Sequence, residues 1–266
     1  MAEIYEKVQK VEKLKKNYRI YWQNHEPMIV SEDFLVQYRL LKDKEFTQED
    51  FIEMKKNMSS DQAYEQALRW ISYQMRTIQE VDQYLKEKNH KERVRAKVIR
   101  QLIDYGWLND LEYAQCYMRT KRREGKKGPR AIAYQLKEKG ISENDIFLSQ
   151  KEYPREKEYE NAKKQAEKLQ LRYQKKSIRE QKEKIRQKLY QDGFQSDIIQ
   201  EVCSELEFSL ESELEKMRPV ADRYWKKYQK YDEYTRKEKL KMMLYRKGYA
   251  SDDIQQYLQE KEEEQG

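Results

Sequence analysis

From about residue 59 onward, apolar residues return every three or four positions, the period of a helix that turns one stripe toward a core. Ala63, Ala67, Leu68 and Ile71 form one stripe, and Tyr113, Ala114, Tyr117 and Met118 another; stretches 155–174 and 217–231 carry two more. Each is followed by a helix with a recognisable end. Leu85-x-x-x-Asn89, Leu136-x-x-x-Gly140, Leu189-x-x-x-Gly193 and Leu244-x-x-x-Gly248 recur at intervals of 51, 53 and 55 residues. Glycine, with asparagine as second choice, takes the left-handed conformation that closes a helix above a packed leucine. The starts recur too. Thr77-x-x-Glu80, Ser177-x-x-Glu180 and Thr235-x-x-Glu238 have the form of capping boxes, and Gly128-Pro129 places a proline at the first helical position. A third helix follows each later stop, at Ile141-Ser142 with Ile146, Phe194 with Ile198, and Tyr249 with Ile254. Pro154 and Pro219 are expected to open the third and fourth units.

Residues 1–57 read differently. Tyr18-Arg19-Ile20-Tyr21-Trp22 and Met28-Ile29-Val30 look like short strands joined through the turn residues Asn24-His25-Glu26-Pro27. Two short helices are expected after them, capped by Ser31 and Thr47, with Phe34, Leu35, Tyr38 and Leu41 and then Phe51 and Ile52 buried. The expected fold is mainly α: an elongated, curved array of tandem three-helix repeats behind a small N-terminal α+β segment. The divisions are 1–57 for that extension, then repeats at 58–107, 108–152, 153–216 and 217–266. Units this small bury their apolar faces by stacking on their neighbours.

Composition agrees with helices and excludes other classes. Of 266 residues 39% are charged and 37% hydrophobic, with seven glycines and four prolines, too few turn formers for a sandwich or barrel. No apolar run is long enough to span a membrane and the N-terminus lacks a signal-peptide core, so a soluble, cytoplasmic chain is expected. Cys116 and Cys203 stand alone and are expected as buried free thiols. With His25 and His90 the only histidines, neither a metal site nor any other cofactor is expected. No phosphate-loop, dinucleotide, zincin or nucleophile-elbow motif is present, and the tempting Asn109-Asp110 pair reads as a helix cap, so no enzyme is expected.

The net charge of +7 is unevenly spread. Residues 1–57 carry eleven basic and eleven acidic side chains, whereas residues 86–139 carry sixteen and seven. The densest stretch runs from Arg119 to Arg130, where seven of twelve residues are basic. Gly125 and Gly128 break the helix there, predicting a mobile loop able to follow a polyphosphate backbone beside a helix N-terminus that favours anions. A second cluster, Lys175, Lys176, Arg179, Lys182, Lys184, Arg186 and Lys188, is diluted by Glu180 and Glu183. The acidic tail Glu260–Glu264 is expected to fray. The 22 tyrosines are read as packing wedges more than stacking platforms, and Trp70 and Trp107 as core.

Residues 63–146 carry a resemblance. Ala63, Ala67-Leu68, Ile71-Ser72, Arg76-Thr77, Glu80, Leu85 and Lys88, then Leu102, Gly106-Trp107-Leu108-Asn109-Asp110 and Tyr113-Ala114, then Gly128, Ile132, Leu136 and Lys139-Gly140-Ile141, resemble the RecX family of regulatory proteins. The layout of the whole chain is similar to the family's longer form, with an N-terminal extension and a fourth repeat. Gln74 departs from the family's usual Arg, and Asn89 from its usual Gly. The resemblance implies a cytoplasmic protein that binds RecA and the RecA filament on single-stranded DNA and inhibits recombinase, ATPase and co-protease activity from the filament groove. Arg76, Arg119, Lys121, Arg122, Arg123, Lys126, Lys127 and Arg130 are the candidate filament-binding residues, with Lys175, Lys176, Arg179 and Lys182 as a secondary cluster. A monomer without membrane contact is expected. The alternatives are a helical-repeat protein–protein adaptor and a nucleic-acid-binding protein unrelated to RecA.

Overall fold

The computed structural model describes residues 4–208 and 213–263. Its N-terminal sheet has four strands, β1 (Glu6–Lys13), β2 (Tyr18–Trp22), β3 (Met28–Val30) and, after one short helix, β4 (Glu45–Phe46), paired antiparallel in the order β3-β2-β1-β4. β1 was not legible as a strand, because its sequence EKVQKVEK buries only Glu6 and Val8. The sheet face packs with α1 (Glu32–Gln37) and α2 (Gln48–Ile71) around Val8, Ile20, Trp22, Phe34, Leu40 and Phe51. Ser31 and Thr47 cap these helices as expected, each accepting a backbone N–H from the third residue on. Leu41 is exposed and Leu40 takes its place inside, because Arg39, at φ +48°, turns the chain as α1 closes. Ile52 is exposed as well, since Phe51 and Met54 supply the inward stripe. The second helix is not short. It runs 24 residues without a break, so one rod serves both the sheet and the first three-helix unit.

The remaining helices are α3 (Ile78–Glu87), α4 (Glu92–Asp104), α5 (Asp110–Glu124), α6 (Pro129–Glu138), α7 (Glu143–Ser149), α8 (Arg155–Tyr173), α9 (Ile178–Gln191), α10 (Ser196–Glu205), α11 (Glu213–Lys227), α12 (Glu233–Arg246) and α13 (Ser251–Glu263). Contacts group the chain into two compact units, residues 1–114 with 136–146 and residues 115–135 with 147–266. In the first, Ala63, Ala67, Val81, Leu85, Val98, Leu102 and Leu108 form the helical core. In the second, one core gathers Ala162, Ala166, Ile185, Leu189, Phe194 and Ile198, and another Met217, Ala221, Trp225, Leu240, Leu244 and Ile254. In each of these three cores the first helix contributes buried alanine.

The predicted stops are present: Asn89, Gly140, Gly193 and Gly248 all have φ between 62° and 87°. The starts need one correction. Thr77 forms a full capping box and Ser177 caps through its hydroxyl, but Thr235 lies inside α12, whose cap is Asp232 accepting the Thr235 N–H at 3.0 Å. The shift exposes two classes. α3 and α6 have ten residues, α9 and α12 fourteen. Pro154 caps α8, but Pro219 lies within α11, which begins six residues earlier.

Starts and stops of successive units meet. The Thr77 hydroxyl donates to the Lys139 carbonyl at 3.0 Å, and the Ser177 hydroxyl to the Lys247 carbonyl at 2.6 Å. Between them in sequence, the Gly128 N–H donates to the Asp192 carbonyl at 2.8 Å and the Arg130 N–H to the Gly193 carbonyl at 3.1 Å. A Cβ at Gly140 would strike Gln79, one at Gly193 would strike Ala131, and one at Gly248 would strike Arg179. Asn89 is solvent-exposed, and there a side chain is tolerated.

Two further expectations change. Trp107 is 59% exposed while Leu108 is buried, because the Trp107 and Leu108 N–H groups both turn back to the Leu102 carbonyl and send only the second side chain inward. The residues Glu260–Glu263 are helical, with Glu260 paired to Arg218 at 2.7 Å and Glu262 to Lys237 at 2.7 Å; Glu264 lies outside the described residues.

Candidate nucleic-acid interface

The basic joint from Arg119 to Arg130 lies wholly in the second unit. It starts on the last turns of α5, where cations suit the negative end of the helix dipole. Gly125, at φ +65°, then ends that helix. The predicted loop is fastened rather than mobile. The Gly125 carbonyl accepts from Gln165 Nε2 at 2.9 Å, the Arg122 carbonyl from Asn161 Nδ2 at 2.9 Å, and the Lys127 carbonyl from the Tyr153 hydroxyl at 3.3 Å. Burial pushes the Tyr153 hydroxyl up to about 12, so at neutral pH it remains a donor. The glycine at 128 is needed because a side chain would run into the Gly193 carbonyl.

Three of the predicted cations are consumed by this fastening. Arg119 meets Glu152 at 3.2 Å and donates to Cys116 Sγ at 2.9 Å, contacts that hold its guanidinium above the usual arginine range. Arg122 donates to the Glu152 carbonyl. Lys127 meets Asp192, itself almost buried, at 2.8 Å. Lys121 pairs with Glu124 at 3.0 Å on the surface, where such a pair contributes little. Arg123 and Lys126 are exposed, without an ion-pair partner among the described residues. Arg130 is exposed, its guanidinium 5.0 Å from the centre of the Tyr190 ring.

Arg76 belongs to the first unit. Its guanidinium lies 4.3 Å from the centre of the Trp70 ring, which stacks in turn on Tyr84 at 4.4 Å. Trp70 is thus half-buried between a cation and a phenol. Asn109 caps α5, accepting the Glu112 N–H at 3.0 Å. Asp110 accepts the Ile78 N–H at 2.9 Å, and burial raises its carboxyl above the ordinary range. The pair is structural.

The secondary cluster spreads along α9 and the turn before it. Lys176 meets Glu180 at 2.5 Å and Lys188 meets Asp192 at 2.9 Å. Lys175 is exposed, and the stem of Arg179 packs where Gly248 leaves room. Lys182 and Arg186 share one face with Tyr190 and line a groove of about 750 Å³ between α9 and α10. Tyr190 was missed, although its i, i+4 spacing from Arg186, already in the second basic cluster, was there to be read. Asp192 and Glu152 were not readable, because nothing local ties a carboxylate to a lysine 65 positions away. Cys116 and Cys203 are free but half-buried. Among the described residues no cluster of His, Cys, Asp and Glu could hold a metal ion, and no helix is long and apolar enough to cross a membrane.

Comparison with known proteins follows the helical triplets. The family models for the first and second three-helix domains of RecX match residues 63–102 and 109–146, and the model for the third matches twice, at 156–203 and 211–258. A protein named regulatory protein RecX from Bacillus cytotoxicus is 36% identical over 239 residues, covering 88% of each chain. One of the same name from Enterococcus faecalis is 36% identical over 249 residues, covering 93% of this chain and 94% of its own. A crystal structure of regulatory protein RecX superposes with a TM-score of 0.68 at 32% identity, over 76% of this chain and all of that one. The structure of RecX from Lactobacillus salivarius gives 0.54 at 36% identity, over 56% and 96%.

Proposed function

The chain belongs to the RecX family of regulatory proteins, and on that premise we propose that it acts in the cytoplasm by binding RecA and the RecA filament on single-stranded DNA and inhibiting RecA's recombinase, ATPase and co-protease activities. The observation that carries the reading is coverage. The family match runs through all four helical triplets, which supports a role of the family's kind for the chain.

The charge distribution supports a nucleoprotein partner. Arg123, Lys126 and Arg130 stand exposed on a turn whose backbone is held on both sides, and a preorganised cationic turn meets phosphates with little ordering cost. Arg119, Arg122 and Lys127 shape that turn, and Arg76 is a further candidate on the first unit. Lys121 and the cluster of Lys175, Lys176, Arg179 and Lys182 add positive field. Contacts of this kind steer and position, and they read no base sequence.

The test is RecA-catalysed ATP hydrolysis on single-stranded DNA with the purified chain titrated in. Inhibition is expected, and inhibition well below one chain per RecA would identify action on filament ends or growth. Undiminished hydrolysis at saturating chain would defeat the reading. Reversal of Arg123 and Lys126 to Glu is the fitting variant, since neither holds the fold together. A helical adaptor that ignores nucleic acid is the competing reading, favoured by the internal pairing of Arg119 and Lys127; it predicts wild-type behaviour from that variant.

A further inference from the structure

The groove between α9 and α10 has a chemistry that the basic joint lacks. Lys182 and Arg186 stand on its α9 wall, and no carboxylate lines it among the described residues. Among the described residues Arg186 has only Glu183 at 4.0 Å, both side chains mostly exposed, and Lys182 lies 5.1 Å from the centre of the Phe208 ring. The floor is apolar, built from the buried Ile199 and the half-buried Cys203. Gln191 and Gln200 line it too, and neither amide makes a hydrogen bond among the described residues. Tyr190 completes the wall, 54% exposed, with the Arg130 guanidinium over its ring. Arg130, the last cation of the joint, therefore borders this groove.

Cations along one edge, an aromatic ring, an apolar floor and amides that can both donate and accept are the components that hold an unstacked base with its phosphate. The volume of about 750 Å³ exceeds what one nucleotide needs. We propose that this groove receives a nucleotide of a single strand, with the phosphate on Lys182 and Arg186, the base against Tyr190 and Ile199, and its edge facing Gln191 and Gln200. The inference rests on the reading that this protein meets single-stranded DNA, and adds a place where a base leaves its stack.

The fourth triplet supplies a contrast. Aligned by their stop leucines, Lys182, Arg186 and Tyr190 correspond to Lys237, Lys241 and Tyr245. There Lys237 is neutralised by both Glu233 and Glu262, and Lys241 faces Glu238 at 4.0 Å. The same stripe is presented twice, and the difference lies at its first position: among the described residues Lys182 has no ion-pair partner, whereas Lys237 has two.

Cys203 makes the site testable without any assay of regulation. A fluorescent oligothymidylate is titrated against the full chain by anisotropy, and iodoacetamide labelling of both thiols is followed by mass spectrometry with and without it. Several-fold slower labelling of Cys203 is expected on binding, with Cys116 unchanged. Tyr190→Ala and the double variant Lys182→Glu with Arg186→Glu, each checked by circular dichroism, should weaken oligonucleotide binding roughly tenfold or more. The proposal is overturned if the oligonucleotide binds while Cys203 labels at its free rate, or if folded variants bind like the wild type; the wider reading survives either result. It is also overturned if polyglutamate protects Cys203 and the oligonucleotide does not, which would make the groove a peptide site. A chain that binds no oligonucleotide overturns it too, leaving regulation to be judged by ATP hydrolysis alone.

Discussion

Gly193 shows how much one missing Cβ carries. Its backbone sits at φ +83°, and an added methyl would strike Ala131. Gly106 has nearly the same conformation, at φ +75°, with nothing within 4 Å. Gly106→Ala should therefore cost only the left-handed penalty, about 1 to 2 kcal/mol, whereas Gly193→Ala should cost clearly more; urea denaturation of the two variants measures the difference. Glu6 is the acid-sensitive residue of the N-terminal sheet. Burial works to raise its carboxyl, but the His25 side chain and the N–H groups of Lys7, Asn24 and Gln23 outweigh burial and leave it below the ordinary carboxylate range. A carboxylate held low in the folded state stabilises above its unfolded value, near 4.5, and loses that contribution as pH falls through the folded one. Unfolding followed from pH 7 down to pH ~3 should lose less stability in Glu6→Gln than in the wild type, and equal slopes would remove Glu6 from the acid response.

Among the helices, what was legible was local. Thr77, Ser177, Asn89 and the later glycines announce starts and stops through bonds to residues within four positions, and those bonds are present. Thr235 misled because Glu238 stands three residues on, as a capping box would have it, while Asp232 held the better geometry one turn earlier. The cores follow from helical periodicity. The fastening of the basic turn does not, because Asn161, Gln165 and Asp192 are brought to it only by packing. Ser177 matters twice at this scale, capping α9 and donating to the carbonyl of Lys247. Ser177→Ala removes both bonds and should cost about 1 to 3 kcal/mol, while Ser177→Thr should retain most of it; thermal melts of the pair distinguish a capping role from a merely small side chain.

For the molecule as a whole, bulk charge was a poor guide and its location a better one. The cations of the joint divide into those that shape it and those that face outward, a division that composition cannot express. Reversing Arg123 and Lys126 to Glu should leave the melting temperature within about one degree, because each is exposed and free of an ion-pair partner among the described residues. The same change should lower the salt slope of single-strand binding by about 1 to 2. Lys127→Glu should instead destabilise, placing a second carboxylate against the nearly buried Asp192. If the two variants melt alike, the turn is not held as described.

The junctions between triplets have a direction. Thr77, Gly128 and Ser177 each receive the stop of the following triplet, whereas Asp232 opens the last and Asn89 closes the first under no such demand. Each junction therefore ties two distant positions together, a small residue at the start of one helix and the glycine that closes the helix it receives. The double match of the third-domain model falls on the two triplets whose middle helices share the fourteen-residue length.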